Sequence, residues 1–112
     1  MDWTSCLPDR LRKEAYWFEG EAAWKKEAAL EVLRILQQNG YFALGVDIWI
    51  PTTIGPRIPS RFVYDWDLTA ERDDRKIKSA KEFIEGFRWS ENDRESQNEE
   101  PFFLFTVDKF NG

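Results

Sequence analysis

Residues 29–68 read ALEVLRILQQNGYFALGVDIWIPTTIGPRIPSRFVYDWDL, and the changes of hydrophobic period inside that stretch decide the fold. Up to Gly40 the period is helical. Ala28, Ala29, Val32, Leu33, Ile35 and Leu36 form an apolar stripe, and Lys25, Lys26, Glu27, Glu31, Arg34 and Gln38 take the other side, so a helix is expected over 24–38. Asn39-Gly40 is its stop, because glycine readily takes the left-handed conformation of a helix end. The period then changes to two. Across 41–50, Phe42, Leu44, Val46, Ile48 and Ile50 point one way, and Tyr41, Ala43, Gly45, Asp47 and Trp49 the other. Gly45 marks a bulge or a close approach of another backbone. Residues 51–59 hold three prolines and a glycine, which argues for a stiff connection rather than a strand. Alternation resumes over 60–68, with Phe62, Tyr64, Trp66 and Leu68 assigned to the core and Arg61, Val63, Asp65 and Asp67 opposite.

Upstream, Pro8 and Asp9 suit the first turn of a helix over 8–18, with Leu7, Leu11, Ala15 and Phe18 on one face. The aromatic run 16–18 also fits a short strand, and Gly20 ends the element in either case. Downstream, Asp73 or Asp74 caps a third helix reaching about Arg88, with Ile77, Ala80, Ile84 and Phe87 on its apolar face. Residues 90–100 carry five acids and one arginine with no apolar side chain and read as a solvated loop. Residues 102–107 form a closing strand. The order α-α-β-β-α-β predicts a single α+β domain over 1–112, in two layers. Its three-stranded, mostly antiparallel sheet would be covered on one face by two to three helices.

Composition narrows the function. Sixteen Lys and Arg against twenty-one Asp and Glu leave a net charge of −5, which disfavours nucleic acid and anionic membrane as partners and suits a basic protein or plain solubility. A single cysteine, Cys6, excludes an intramolecular disulfide, and histidine is absent, so most metal sites and histidine-based catalysis are not expected. No cofactor is implied. The N-terminal residues lack a basic, then apolar, leader pattern and no apolar run has membrane-spanning length, so a cytoplasmic location is expected. Six Trp, nine Phe and three Tyr fill a small core efficiently, and tryptophan is also an interface residue.

Setting the two central strands side by side brings Asp47, Trp49, Arg61, Asp65 and Asp67 onto one face, a docking surface for a cationic protein or an ordinary solvent face. Glu91, Asp93 and Glu95 in the acidic loop form a second patch; such charge runs are commonly just solvated. Asp65 and Asp67 raise a glycosidase-like carboxylate pair, but no nucleophile elbow, phosphate cradle or metal-ligand spacing accompanies them, so no enzymatic role is expected. Cys6 reads as structural, with no histidine to activate a thiolate.

Several short features in fixed order give the chain a resemblance to a known family. They are Leu7-Pro8, Trp24, Ala29-Leu30, Gly45-Val46-Asp47-Ile48, Trp66, and Ser79-Ala80 leading to Phe83-Ile84 and Phe87. From about residue 7 to 107 the chain resembles the immunity protein 40 family of bacterial polymorphic-toxin and contact-dependent growth-inhibition systems. Val46 stands where that pattern has its second glycine, and Asp65-Trp66-Asp67 is not its usual wording. The resemblance implies a cytoplasmic protein that neutralises the C-terminal domain of a cognate toxin, and the acidity here implies a basic toxin such as a nuclease. Asp47, Trp49, Asp65 and Asp67, with Glu91, Asp93 and Glu95, are then the expected contacts. The competing function is an acidic adaptor domain with no toxin partner. Either would work as a monomer or a weak homodimer.

Overall fold

The computed structural model of the chain describes residues 3–59 and 64–109, without the side chain of Asp73. A 3-10 turn at Trp3–Cys6 leads into α1 (Asp9–Glu14), β1 (Tyr16–Phe18), β2 (Glu21–Trp24), α2 (Lys26–Gln38), β3 (Tyr41–Thr52), β4 (Gly55–Arg57), β5 (Trp66–Asp67), α3 (Asp73–Gly86) and β6 (Phe102–Lys109). The architecture is α+β, but its sheet has six strands among the described residues, not the three expected. The order is β1-β2-β6-β3-β4, with β5 also pairing with β3, and every pairing is antiparallel.

The extra strands come from two hairpins, of which the residue pattern shows only β1 at 16–18, as an alternative to helix. In the first, β1 and β2 are joined by Glu19 and Gly20, whose φ angles of 50° and 82° supply the double positive turn that matches strand twist. Glutamate rarely takes that conformation, so Glu19-Gly20 does not read as a turn. The second hairpin folds β4 back on the end of β3 in spite of its prolines. Pro51 and Pro56 face each other, flanked by the pairs Ile50–Arg57 and Thr52–Gly55. That position needs no N–H in the ladder, so proline is tolerated there. Of the strand expected over 60–68, residues 60–63, including Arg61, lie outside the described residues, and only Trp66 and Asp67 pair as β5.

Helices α2 and α3 pack over one face of the sheet. The core between them gathers Val32, Leu33 and Leu36 from α2, Ala80 and Ile84 from α3, Val46 and Ile48 from β3, and Phe103 and Phe105 from β6. Trp24, which the sequence placed at the head of α2, instead ends β2. It is fully buried, stacks on Phe105 with ring centroids 6.4 Å apart, and donates its indole N–H to the Leu11 carbonyl at 2.8 Å. At the start of α3 the N-cap position is held by Arg72 with no side-chain cap bond, and Asp74 pairs with Arg72 at 2.9 Å.

Gly45 carries both of the features its position suggested. The β3–β6 register shifts between Ala43 and Gly45, leaving Leu44 as the extra residue of a bulge. A Cβ on Gly45 would come within 3.3 Å of the Trp66 carbonyl oxygen. The bulge also resets the strand's phase, so that Tyr41 and Ala43 join Val46 and Ile48 in the helix-covered core rather than sharing a face with Asp47.

The opposite face of the sheet curls until its two ends meet. The Tyr16 hydroxyl on β1 donates to the Thr52 carbonyl at 2.9 Å. The Phe18 ring lies against Gly55, where a Cβ would meet it at 2.9 Å and where φ is 131°, so glycine is required twice over. Replacing Trp24 by alanine removes an enclosed aromatic and leaves a buried carbonyl without its donor. The expected loss, measured by urea unfolding, is about 3–5 kcal/mol.

Candidate functional site

The curl of the sheet decides which of the expected contact residues a partner meets. Trp49 is only 6% exposed. It sits in a small second core with Ala23 and Leu104, edge-on to Tyr16 at 6.1 Å and to Phe18 at 6.5 Å. Its size and alternation placed it correctly on the face opposite the helices, but β1 closes over it. Trp49 therefore holds the curl together and is covered from solvent.

Asp47 is half-buried beside it. No hydrogen bond reaches its carboxylate among the described residues. Burial pushes its pKa up, and the nearby charges of Asp65 and Glu21 push it further in the same direction. Asp65 is exposed and accepts the Ile48 backbone N–H at 3.2 Å, covering a donor on β3 just beyond the short β5 ladder. Asp67 lies opposite Gly45, and one of its oxygens accepts both the backbone N–H (2.9 Å) and the hydroxyl (2.7 Å) of Thr69. Those two bonds hold its carboxyl below the usual range. Asp47 and Asp65 thus lie close enough to act on each other, with Glu21 near, while Asp67 sits two residues along the same edge and is turned onto Thr69.

The acidic loop behaves differently from a solvated tether. Successive turns close it: Asp93 N–H donates to Ser90 O, Ser96 N–H to Asp93 O and Glu99 N–H to Ser96 O. The Tyr64 hydroxyl pins its start, donating to Asp93 at 2.7 Å and accepting the Ser90 N–H at 3.0 Å. The Trp89 indole donates to the Glu99 carbonyl at 2.9 Å. Asp93 is consequently buried inside its own loop. Burial disfavours its charge, but the Tyr64 and Ser96 donors and the positive Arg57 outweigh that, and its pKa falls below the ordinary value. Glu91 and Glu95 are exposed on the same loop.

One aromatic outside the expected contact set is exposed at this edge. Trp66, which alternation assigned to the core, keeps 47% of its surface exposed while stacking on Phe83 of α3, centroids 5.4 Å apart and planes 25° from parallel. The Asp-Trp-Asp triplet gave no signal of this, since an apolar residue between two charges is also what a core-facing strand position shows. Among the described residues no group of three or more His, Cys, Asp or Glu is arranged to hold a metal ion, and no helix is long and apolar enough to cross a membrane.

Two outcomes follow from these contacts. Because Asp47 has a raised pKa when folded, the folded state disfavours its charged form. The stability it contributes is full below the ordinary carboxylate pKa and is lost as pH rises through the folded value. Asp47→Asn should therefore stabilise the protein at pH 7 and lose that advantage below about pH 4, read from unfolding midpoints across the pH range. Tyr64→Phe removes both bonds at the loop's start, so limited proteolysis should cut within 90–100 several-fold faster than in the parent protein.

No family model matches the chain, and no curated protein or solved structure is significantly similar to it.

Proposed function

We propose that the chain is a cytoplasmic immunity protein that binds a cognate bacterial toxin domain and neutralises it, the toxin being basic, as a nuclease domain is. The observation that carries the reading is the acidic edge at β5, where Asp65 lies near Asp47 and Asp67 follows on the same strand, with the exposed Trp66 between Asp65 and Asp67 in the chain and turned to the helix side. Such an edge combines the two things a fast, tight protein contact needs. Carboxylates steer a basic partner during encounter, and an aromatic supplies contact area that does not have to be ordered first. The net charge of −5 extends the same field over the whole molecule. The resemblance to immunity protein 40 sequences supplies the biological setting. In this role the protein performs no reaction of its own; it acts by occupying the toxin.

Asp65 and Asp67 each use an oxygen on a backbone N–H, so charge reversal would disturb β5 as well as the field. Asparagine keeps the acceptor oxygen and removes only the charge. Co-expression with the toxin domain encoded directly upstream should rescue growth and yield a co-purifying complex. The Asp65→Asn/Asp67→Asn double variant should associate about tenfold more slowly at low salt, with the difference shrinking at high salt. Absence of both rescue and complex would sink the immunity reading and favour an adaptor domain.

A further inference from the structure

Between β5 and the end of α3 lies an open groove of about 430 Å³, whose lining includes Tyr64, Asp65, Trp66, Glu82, Phe83 and Arg88. Its aromatic wall is rigid. Phe83 stacks under Trp66 and meets Phe87 at 5.9 Å, and Phe87 meets the core residue Phe103 edge-on at 5.7 Å. The indole is therefore held from one side by a chain of rings reaching the core, while nearly half of it stays open to solvent. Gly86 also lines the groove, and a Cβ there would touch nothing within 4 Å, so the space is unfilled on the helix side too.

Two carboxylates against one guanidinium give the lining a net negative charge. Asp65 spends Oδ1 on the Ile48 N–H, and its second oxygen has no partner among the described residues. Glu82 has neither a hydrogen bond nor an ion pair among them. A flat exposed indole with carboxylate oxygens beside it selects a cation that is itself flat. Guanidinium fits that description better than ammonium: it stacks on aromatic faces and offers several N–H groups in one plane.

We propose that this groove binds an arginine side chain of a basic protein partner, the guanidinium lying on Trp66 and donating to Glu82, with the charge of Asp65 at the groove wall adding to the attraction. The partner's identity rests on the immunity reading; the chemistry of the groove does not. Arg88, at the rim, then sets the approach by repelling a second cation from that side.

The test separates the two. In the 15N-labelled protein, the Trp66 indole N–H signal is assigned by its loss in Trp66→Phe. Titration with acetyl-Gly-Arg-Gly-amide should move that signal saturably. The citrulline peptide, equal in shape but uncharged, should bind at least about fivefold more weakly, and Glu82→Gln should weaken the arginine peptide by a similar factor. An unmoved Trp66 signal, or equal responses to arginine and citrulline, overturns the proposal whatever the toxin result. With the upstream-encoded toxin domain, Trp66→Ala should weaken binding at least about tenfold while the circular dichroism spectrum holds and the melting temperature falls only modestly from the lost stacking on Phe83. Wild-type protection combined with undiminished binding by Trp66→Ala would reject the groove alone. Failure of the wild type to protect, with the peptide titration positive, would reject the immunity reading alone.

Discussion

Strand β6 is the constraint on which the rest of the molecule depends. It lies between β2 and β3, pairing Ala23 and Trp24 on one side and running from Tyr41–Lys109 to Trp49–Phe102 on the other. Its alternating side chains feed both hydrophobic layers. Phe103 and Phe105 enter the helix-covered core, and Leu104 enters the second core around Trp49, with Phe102 packed against it. Helices α2 and α3 have no continuous surface to cover without it, and the β1–β2 hairpin has nothing to curl from. The joining of residues in the twenties and forties to residues past one hundred also makes the fold rich in long-range contacts, which slows folding relative to a local hairpin or helical bundle.

How far the fold was legible varied with the kind of signal. Helix α2, its Asn39-Gly40 stop, β3 and β6 were readable because each is long enough for a period to show. Of the short elements, β1 at 16–18 was open as an alternative to helix, but β2 and β4 were not readable. Ala22 and Ala23 are too small to declare a strand and sit next to a strong helical pattern, while Pro51 and Pro56 hide a hairpin by pairing with each other. Gly45 announced a bulge, but the resulting change of phase for Tyr41 and Ala43 depends on where the extra residue falls, which one chain in isolation does not specify.

The two tryptophans nearest the site illustrate the remaining gap. Alternation put Trp49 outside and Trp66 inside, yet Trp49 is 6% exposed and Trp66 47%. Alternation reports which face of a strand a residue occupies and is silent about what lies over that face. β1 lies over Trp49, whereas among the described residues Phe83 is the ring that stacks on Trp66. Asp65 and Asp67 were easier to place, because an exposed charge needs only the right strand. Their second use, holding backbone N–H groups of Ile48 and Thr69, was not visible in the sequence because it depends on β5 docking against β3.

The meeting of β1 with β4 through Tyr16–Thr52 and Phe18–Gly55 has a consequence for the protein in a crowded cell. An antiparallel sheet with free flanks is a template on which another chain can add a strand, and repeated addition leads to fibres. Here the flanks formed by β1 and β4 are shielded. β1 and β4 are three residues long, β4 carries a proline, and the ends of the sheet are latched to each other instead of facing solvent as long straight edges. A chain this rich in aromatics can then accumulate to high concentration without its strands finding one another.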